Sequence, residues 1–102
     1  MNRTQYLLDV DRVIRGIDIP ADFPATAPVV AMFLLDFMPG DLTTPPGDNM
    51  TSLEIAQALE DTCQLSTTDV ARVMVHLGYR LVTNEYRGHE WAMVATSPAK
   101  HT

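Results

Sequence analysis

Two helix starts of the same design follow each other closely in the second half of the chain. The sequence TSLE at 51–54 has the pattern of a capping box, in which two side chains satisfy each other's backbone amides. STTD at 66–69 repeats the pattern with a shorter acid. Gly78 can adopt left-handed backbone geometry and so end the second helix. The chain is therefore limited to folds built around two consecutive helices, predicted at 52–60 and 66–77 and joined by a short turn.

The N-terminal residues predict an amphipathic helix and an extended connector. Thr4 can cap a helix that runs to about Arg15, where Gly16 stops it. Residues 17–24 include two prolines, and each proline biases the residue before it away from helical geometry. We expect this segment to be extended. Whether residues 1–24 form an oligomer arm or pack on the same core stays open at this point.

A second helix, predicted at 27–38, is apolar around nearly its whole circumference. Thr26 can cap it, Pro28 fits its first turn, and it should end before Pro39. Only Asp36 is polar along its length, so such a helix must be buried on nearly every side. It is either the centre of the fold or shared with a second copy of the chain.

The pattern changes from helix to strand after Gly78. Residues 79–83 and 89–95 are rich in aromatic and β-branched side chains, and 84–88 lie between them as a hairpin turn. Residues 97–102 are expected to form a flexible tail.

The net charge of −6 is unevenly distributed. Residues 1–61 carry three arginines against ten acidic residues, whereas 62–102 carry four cations against three acids. This asymmetry indicates that the back half faces something that the front half does not. The alternative is an ordinary acidic surface.

No catalytic, cofactor or metal pattern is present in the sequence. Cys63 is the single cysteine, and His76, His89 and His101 lack metal-ligand spacing. The longest apolar run, 28–35, is far below the ~20 residues that cross a bilayer. We therefore expect a cytoplasmic protein that is not an enzyme, has no cofactor or metal, and does not bind a membrane.

The order helix, helix, short turn, helix and hairpin resembles the winged helix-turn-helix domain. The resemblance covers about 26–95 and is carried by TSLEIAQAL, STTDVARVMVHLGY and RLVTNEYRGHEW. The ending LGYRLVTNEYRGHEWAMV also resembles the C-terminal winged helices of phage and mobile-element replication proteins of the virulence-associated group. The resemblance implies a mainly α fold with a small β-hairpin, in which a winged helix-turn-helix domain at 25–96 follows an extra N-terminal helix and connector at 1–24.

Helical periodicity divides residues 66–77 into two faces. Val70, Val73, Met74 and Leu77 fall on one side, and Thr68, Arg72, Val75 and His76 fall on the other. The second group should face outward, where an arginine can grip guanine and a threonine or histidine can reach base edges. The expected DNA-binding residues are Thr67, Thr68, Arg72, His76, Arg80 and Arg87, with the last two holding phosphates.

The resemblance implies a duplex-DNA binder with a regulatory or replication-associated role. Roughly four cationic contacts imply a log-log salt slope of about −3 to −4. A homodimer through the helices at 4–15 and 27–38 would double the footprint. The alternative is a protein-interaction module, because Val75 is apolar on the exposed face and Arg72 can simply pair with Asp69.

Overall fold

The structure, a computed structural model, describes residues 2–41, 43–86 and 88–96, which form helices and short strands. The predicted tail at 97–102 and Arg87 lie outside these ranges. The helices are α1 (Arg3–Arg15), α2 (Ala27–Phe33), α3 (Ser52–Ala58) and α4 (Thr67–His76). The strands are β1 (Phe37–Pro39), β2 (Leu81–Asn84), β3 (Gly88–Trp91) and β4 (Met93–Ala95). The chain thus forms a small domain of helices with short antiparallel strands.

Local capping fixes the boundaries of α3 and α4, as the sequence predicts. The Glu54 amide donates to Thr51 Oγ1 at 3.1 Å, and the Thr51 amide donates to Glu54 Oε1 at 2.9 Å. The Asp69 amide donates to Ser66 Oγ at 3.0 Å. Gly78 adopts a φ of 89°, which ends α4 in the left-handed region. The predicted caps and stop are confirmed.

The caps of the first two helices differ from the prediction. The amide of Gln5 donates to Asn2 Oδ1 at 2.8 Å, so Asn2 rather than Thr4 caps α1. Gly16, with a φ of 71°, ends α1 as predicted. Thr26 caps nothing, because its backbone is already helical and a capping side chain needs extended geometry to reach back to the first turn.

The helix predicted at 27–38 is wrong beyond Phe33. A 3-10 turn follows it, and the chain then extends into β1. Pro39 disfavours helical geometry at Met38, and β1 gains backbone hydrogen bonds by pairing with β4. Met32 is 58% exposed, so this chain alone does not bury the helix on nearly every side, and a helix shared with a second copy stays a prediction.

The last two strands, β3 and β4, each pair with a different strand. β3 pairs antiparallel with β2, which confirms a hairpin, and β4 pairs antiparallel with β1. Ala92 separates β3 from β4, so the predicted strand at 89–95 is two strands. The predicted strand at 79–83 begins instead at Leu81, because Tyr79 turns into the core.

A chain of buried hydroxyl groups joins α1 to the rest of the core. Tyr6 Oη donates to the Leu34 carbonyl oxygen at 2.8 Å and bonds to the hydroxyl of Tyr79. Because the Tyr6 proton goes to Leu34, Tyr79 is the donor to Tyr6. The two rings meet edge to face with centroids 6.0 Å apart. The N-terminal helix therefore packs on the same core as α2 and α4.

Replacing the two tyrosines by phenylalanine should destabilise the fold unequally. Tyr6→Phe leaves the buried Tyr79 hydroxyl without its acceptor and should lower the free energy of unfolding by about 2–3 kcal/mol. Tyr79→Phe leaves the Tyr6–Leu34 bond intact and should cost only about 1 kcal/mol. Urea denaturation measures both, with Tyr86→Phe as the control because Tyr86 is 92% exposed. Equal losses, or the reverse order, would contradict the direction of this hydrogen-bond chain.

The same pair should make stability fall at alkaline pH. Burial raises the pKa of Tyr6 to about 12, and burial with the neighbouring Tyr6 raises the pKa of Tyr79 further. Both side chains are protonated in either state below the unfolded value of about 10, so their contribution is complete there. Above that pH the unfolded chain loses protons first, and stability should fall by about 1.4 kcal/mol per pH unit for each tyrosine. Denaturation midpoints from pH 9 to 11 test this, and a Tyr6→Phe/Tyr79→Phe double variant should show a flatter profile.

Candidate binding face of helix α4

The two sides of α4 are buried and exposed as the periodicity predicts. Its inner side, formed by Val70, Val73 and Met74, is fully buried. Its outer side is exposed and carries Thr67, Thr68, Arg72, Val75 and His76. We call these five residues the outer face of α4. Four of the six residues predicted to contact DNA therefore share one exposed helix face.

The connector between α1 and α2 lies against this outer face. Arg72 Nη1 donates to the Asp22 carbonyl oxygen at 3.0 Å and lies 3.5 Å from the Asp22 carboxylate. The rings of Phe23 and His76 meet edge to face with centroids 5.0 Å apart. Arg72 is thus paired on the surface, with Asp22 instead of the expected Asp69.

A mostly apolar groove runs between the connector and α4. Its apolar walls are Pro20 and Phe23 on the connector and Ala71 and Val75 on the helix. Val75 remains 64% exposed, which is unusual for an apolar side chain on a purely nucleic-acid surface. The groove therefore offers apolar contact beside the arginine.

Carboxylates from two other segments surround the end of α4. Asp9 and Arg12 of α1, which lie 3.6 Å apart as an ion pair, line a small cleft together with Asp18 and His76. With Asp22 beside Arg72, acidic groups lie near both ionisable side chains of the outer face. The positive charge of this face is therefore partly offset by its own chain.

Arg80 is exposed at the base of the hairpin. The Ala92 amide donates to the Arg80 carbonyl oxygen at 2.8 Å. Leu81 borders a second groove, which also contains Ala71. Arg72 on α4 and Arg80 at the base of the hairpin are both exposed, and Arg87 lies outside the described residues.

Sequence reasoning missed the contribution of the connector. Asp22 and Phe23 contact α4, but nothing in their local pattern indicates a partner 50 residues away. One weak signal is Phe23 itself, a large apolar side chain between Pro20 and Pro24. The expectation of an extended connector is wrong there, because the Phe23 amide donates to the Pro20 carbonyl oxygen at 3.1 Å and closes a turn. A connector with such an apolar anchor has a reason to pack on a neighbouring element.

The described ranges hold neither a metal-binding cluster nor a membrane-spanning helix. No group of three or more His, Cys, Asp or Glu side chains within them could hold a metal ion. No helix among them is long and apolar enough to cross a membrane. No protein family, curated protein or solved structure matches the chain.

The contact between Asp22 and Arg72 should contribute little to stability. Both side chains are substantially exposed, at 80% and 48%, and such surface ion pairs contribute about 0–1 kcal/mol. Asp22→Asn should therefore change the free energy of unfolding by less than about 1 kcal/mol, as measured by urea denaturation. A loss comparable to that of Tyr6→Phe would mean that the pair is part of the structural core.

Proposed function

We propose that the chain is a winged helix-turn-helix module that binds duplex DNA through α4, in a regulatory or replication-associated role. The order α2, α3, short turn, α4 and β2–β3 hairpin agrees with that class of domain. The observation that carries the proposal is the exposed outer face of α4, the last helix before the hairpin. A helix in this position, with a polar outer side, is how such domains reach the major groove.

The dimensions and chemistry of α4 suit this role. Its 10 residues span about 15 Å, and the major groove is wide enough to admit a helix. Arg72 would contact guanine with two hydrogen bonds, and Thr68 and His76 would reach base edges. Thr67 lies at the helix start, where a hydroxyl and free amides suit a phosphate oxygen.

The remaining contacts would come from the hairpin. Arg80 at its base would hold a phosphate, a contact that positions a protein without reading sequence, and Arg87 keeps the phosphate-holding role expected from the sequence. The net charge of −6 opposes general attraction to DNA, so binding should depend on a correct site. Pairing of two copies through α1 and α2 would double the footprint, and Leu8 and Met32 are exposed apolar side chains on those helices.

Retardation of a randomised duplex library at about 50 mM salt tests this function. We expect selected sequences to be retarded with a log-log salt slope of about −3 to −4. Arg72→Ala should weaken binding about tenfold or more and reduce the slope by about 1. Arg3→Ala is the matched control. It removes the same charge, but Arg3 begins α1, whereas the cleft beside His76 is lined by Asp9 and Arg12 further along that helix. Failure to retard any sequence in the library would reject the function.

Docking of a protein partner is the second candidate. It is favoured by three exposed apolar side chains. Val75 lies in the groove between the connector and α4, and Leu53 and Leu81 border the second groove. Ala71 lines both grooves. Apolar side chains that line adjoining grooves suit a protein surface better than a phosphate backbone.

Leu53→Ser separates the two functions, because Leu53 is 56% exposed and lies on α3, outside the outer face of α4. It should leave DNA retardation nearly unchanged if α4 binds DNA, and it should weaken a protein complex if the second groove is the docking surface.

A further inference from the structure

We propose that the connector is an internal competitor for the outer face of α4, and that a DNA ligand binds by displacing Asp22 and Phe23. This inference rests on the proposed DNA binding and adds a means of regulating it. Its basis is that the connector already occupies two groups that DNA would use, the guanidinium of Arg72 and the imidazole of His76.

Asp22 offers Arg72 the same chemistry as a nucleic acid does. The carbonyl oxygen accepts a hydrogen bond from Nη1 at 3.0 Å, and the carboxylate adds a negative charge 3.5 Å away. Guanine and phosphate likewise present oxygen or nitrogen acceptors to an arginine fork. An arginine that grips guanine end-on uses both Nη groups, so the Nη1 contacts with Asp22 compete with that arrangement.

Phe23 holds the connector in place beside the helix. Its ring packs edge to face with His76, and part of its surface is buried against the hydrophobic core. An aromatic ring over His76 would obstruct the approach of a base edge to that side chain. Phe23 thus gives the competitor an apolar anchor, while Asp22 supplies its charge.

The backbone leading out of α1 guides the connector towards α4. Gly16 and Asp18 both have left-handed φ values, 71° and 55°, and turn the chain at the end of α1. Pro20 and Pro24 then restrict the conformations of the segment that carries Asp22. A restricted segment loses less entropy when it settles on a neighbouring surface, so even weak contacts can hold it there.

The size of the effect follows from population arithmetic. Apparent affinity falls in proportion to the fraction of molecules in which the binding face is free. The weak surface contacts of Asp22 and Phe23 would leave the outer face of α4 free in roughly a tenth to a third of molecules. The exposed ion pair contributes at most about 1 kcal/mol, so removing it alone raises the free fraction part of the way and should tighten DNA binding by about 2- to 4-fold.

Asp22→Asn, compared with Asp11→Asn in the full chain, tests the competitor. Asp11 also forms an exposed ion pair with an arginine, 2.9 Å from Arg15, and lies on a different side of α1 from Asp9, which borders the cleft beside His76. Both variants change the net charge equally. Affinity for a duplex selected from the library is measured by retardation for both variants and for wild type. We expect about a 2- to 4-fold gain for Asp22→Asn and less than about a twofold gain for Asp11→Asn.

A second variant tests the anchor without a change in charge. Phe23→Ala should also tighten binding by at least about threefold, provided that its circular dichroism spectrum and melting transition show a folded chain. Phe23→Leu, which keeps an apolar side chain, serves in its place if Phe23→Ala does not fold, and should show a smaller gain in the same direction.

The outcomes separate this inference from the proposed function. Equal gains for Asp22→Asn and Asp11→Asn would overturn the competitor, because only the overall charge would then matter. Binding by wild type that no connector variant improves would overturn it as well, while leaving DNA binding intact. Failure of wild type and of every connector variant to retard any duplex would overturn the DNA-binding function and the competitor together.

Discussion

The hydrogen bonds from Tyr79 to Tyr6 and from Tyr6 to the Leu34 carbonyl oxygen hold the parts of this domain in register. The two ring hydroxyls are in the interior, where an unpaired polar group is costly. They connect α1, the turn after α2 and the segment after α4 at one point. Since α1 is fixed in this way, its C-terminal end is fixed as well. The position of the connector on α4 depends on that end.

Much of the fold is predictable because it is decided locally. The caps at Thr51 and Ser66 and the stop at Gly78 each depend on side chains within a few residues, and the structure confirms them. β1 was not predictable in the same way. Its residues look helical because they continue an apolar run, and only pairing with β4, far along the chain, makes them a strand.

The same distinction applies to the candidate binding face. The inward and outward sides of α4 follow from helical periodicity, and the burial of Val73 and exposure of Arg72 agree with it. The partner of Arg72 does not follow from any local pattern, because Asp22 is 50 residues away and the contact is on the surface.

The central claim is that the connector, fixed through α1, rests on the outer face of α4. Nuclear Overhauser effects between ring protons of Phe23 and His76 in the free protein test it most directly, since the rings are in edge-to-face contact. We expect clear cross-peaks between the two rings and ring-current shifts on the His76 protons. Absence of these cross-peaks, with Phe23 resonances at random-coil positions in a chain whose Tyr6 and Tyr79 signals show a folded core, would contradict it.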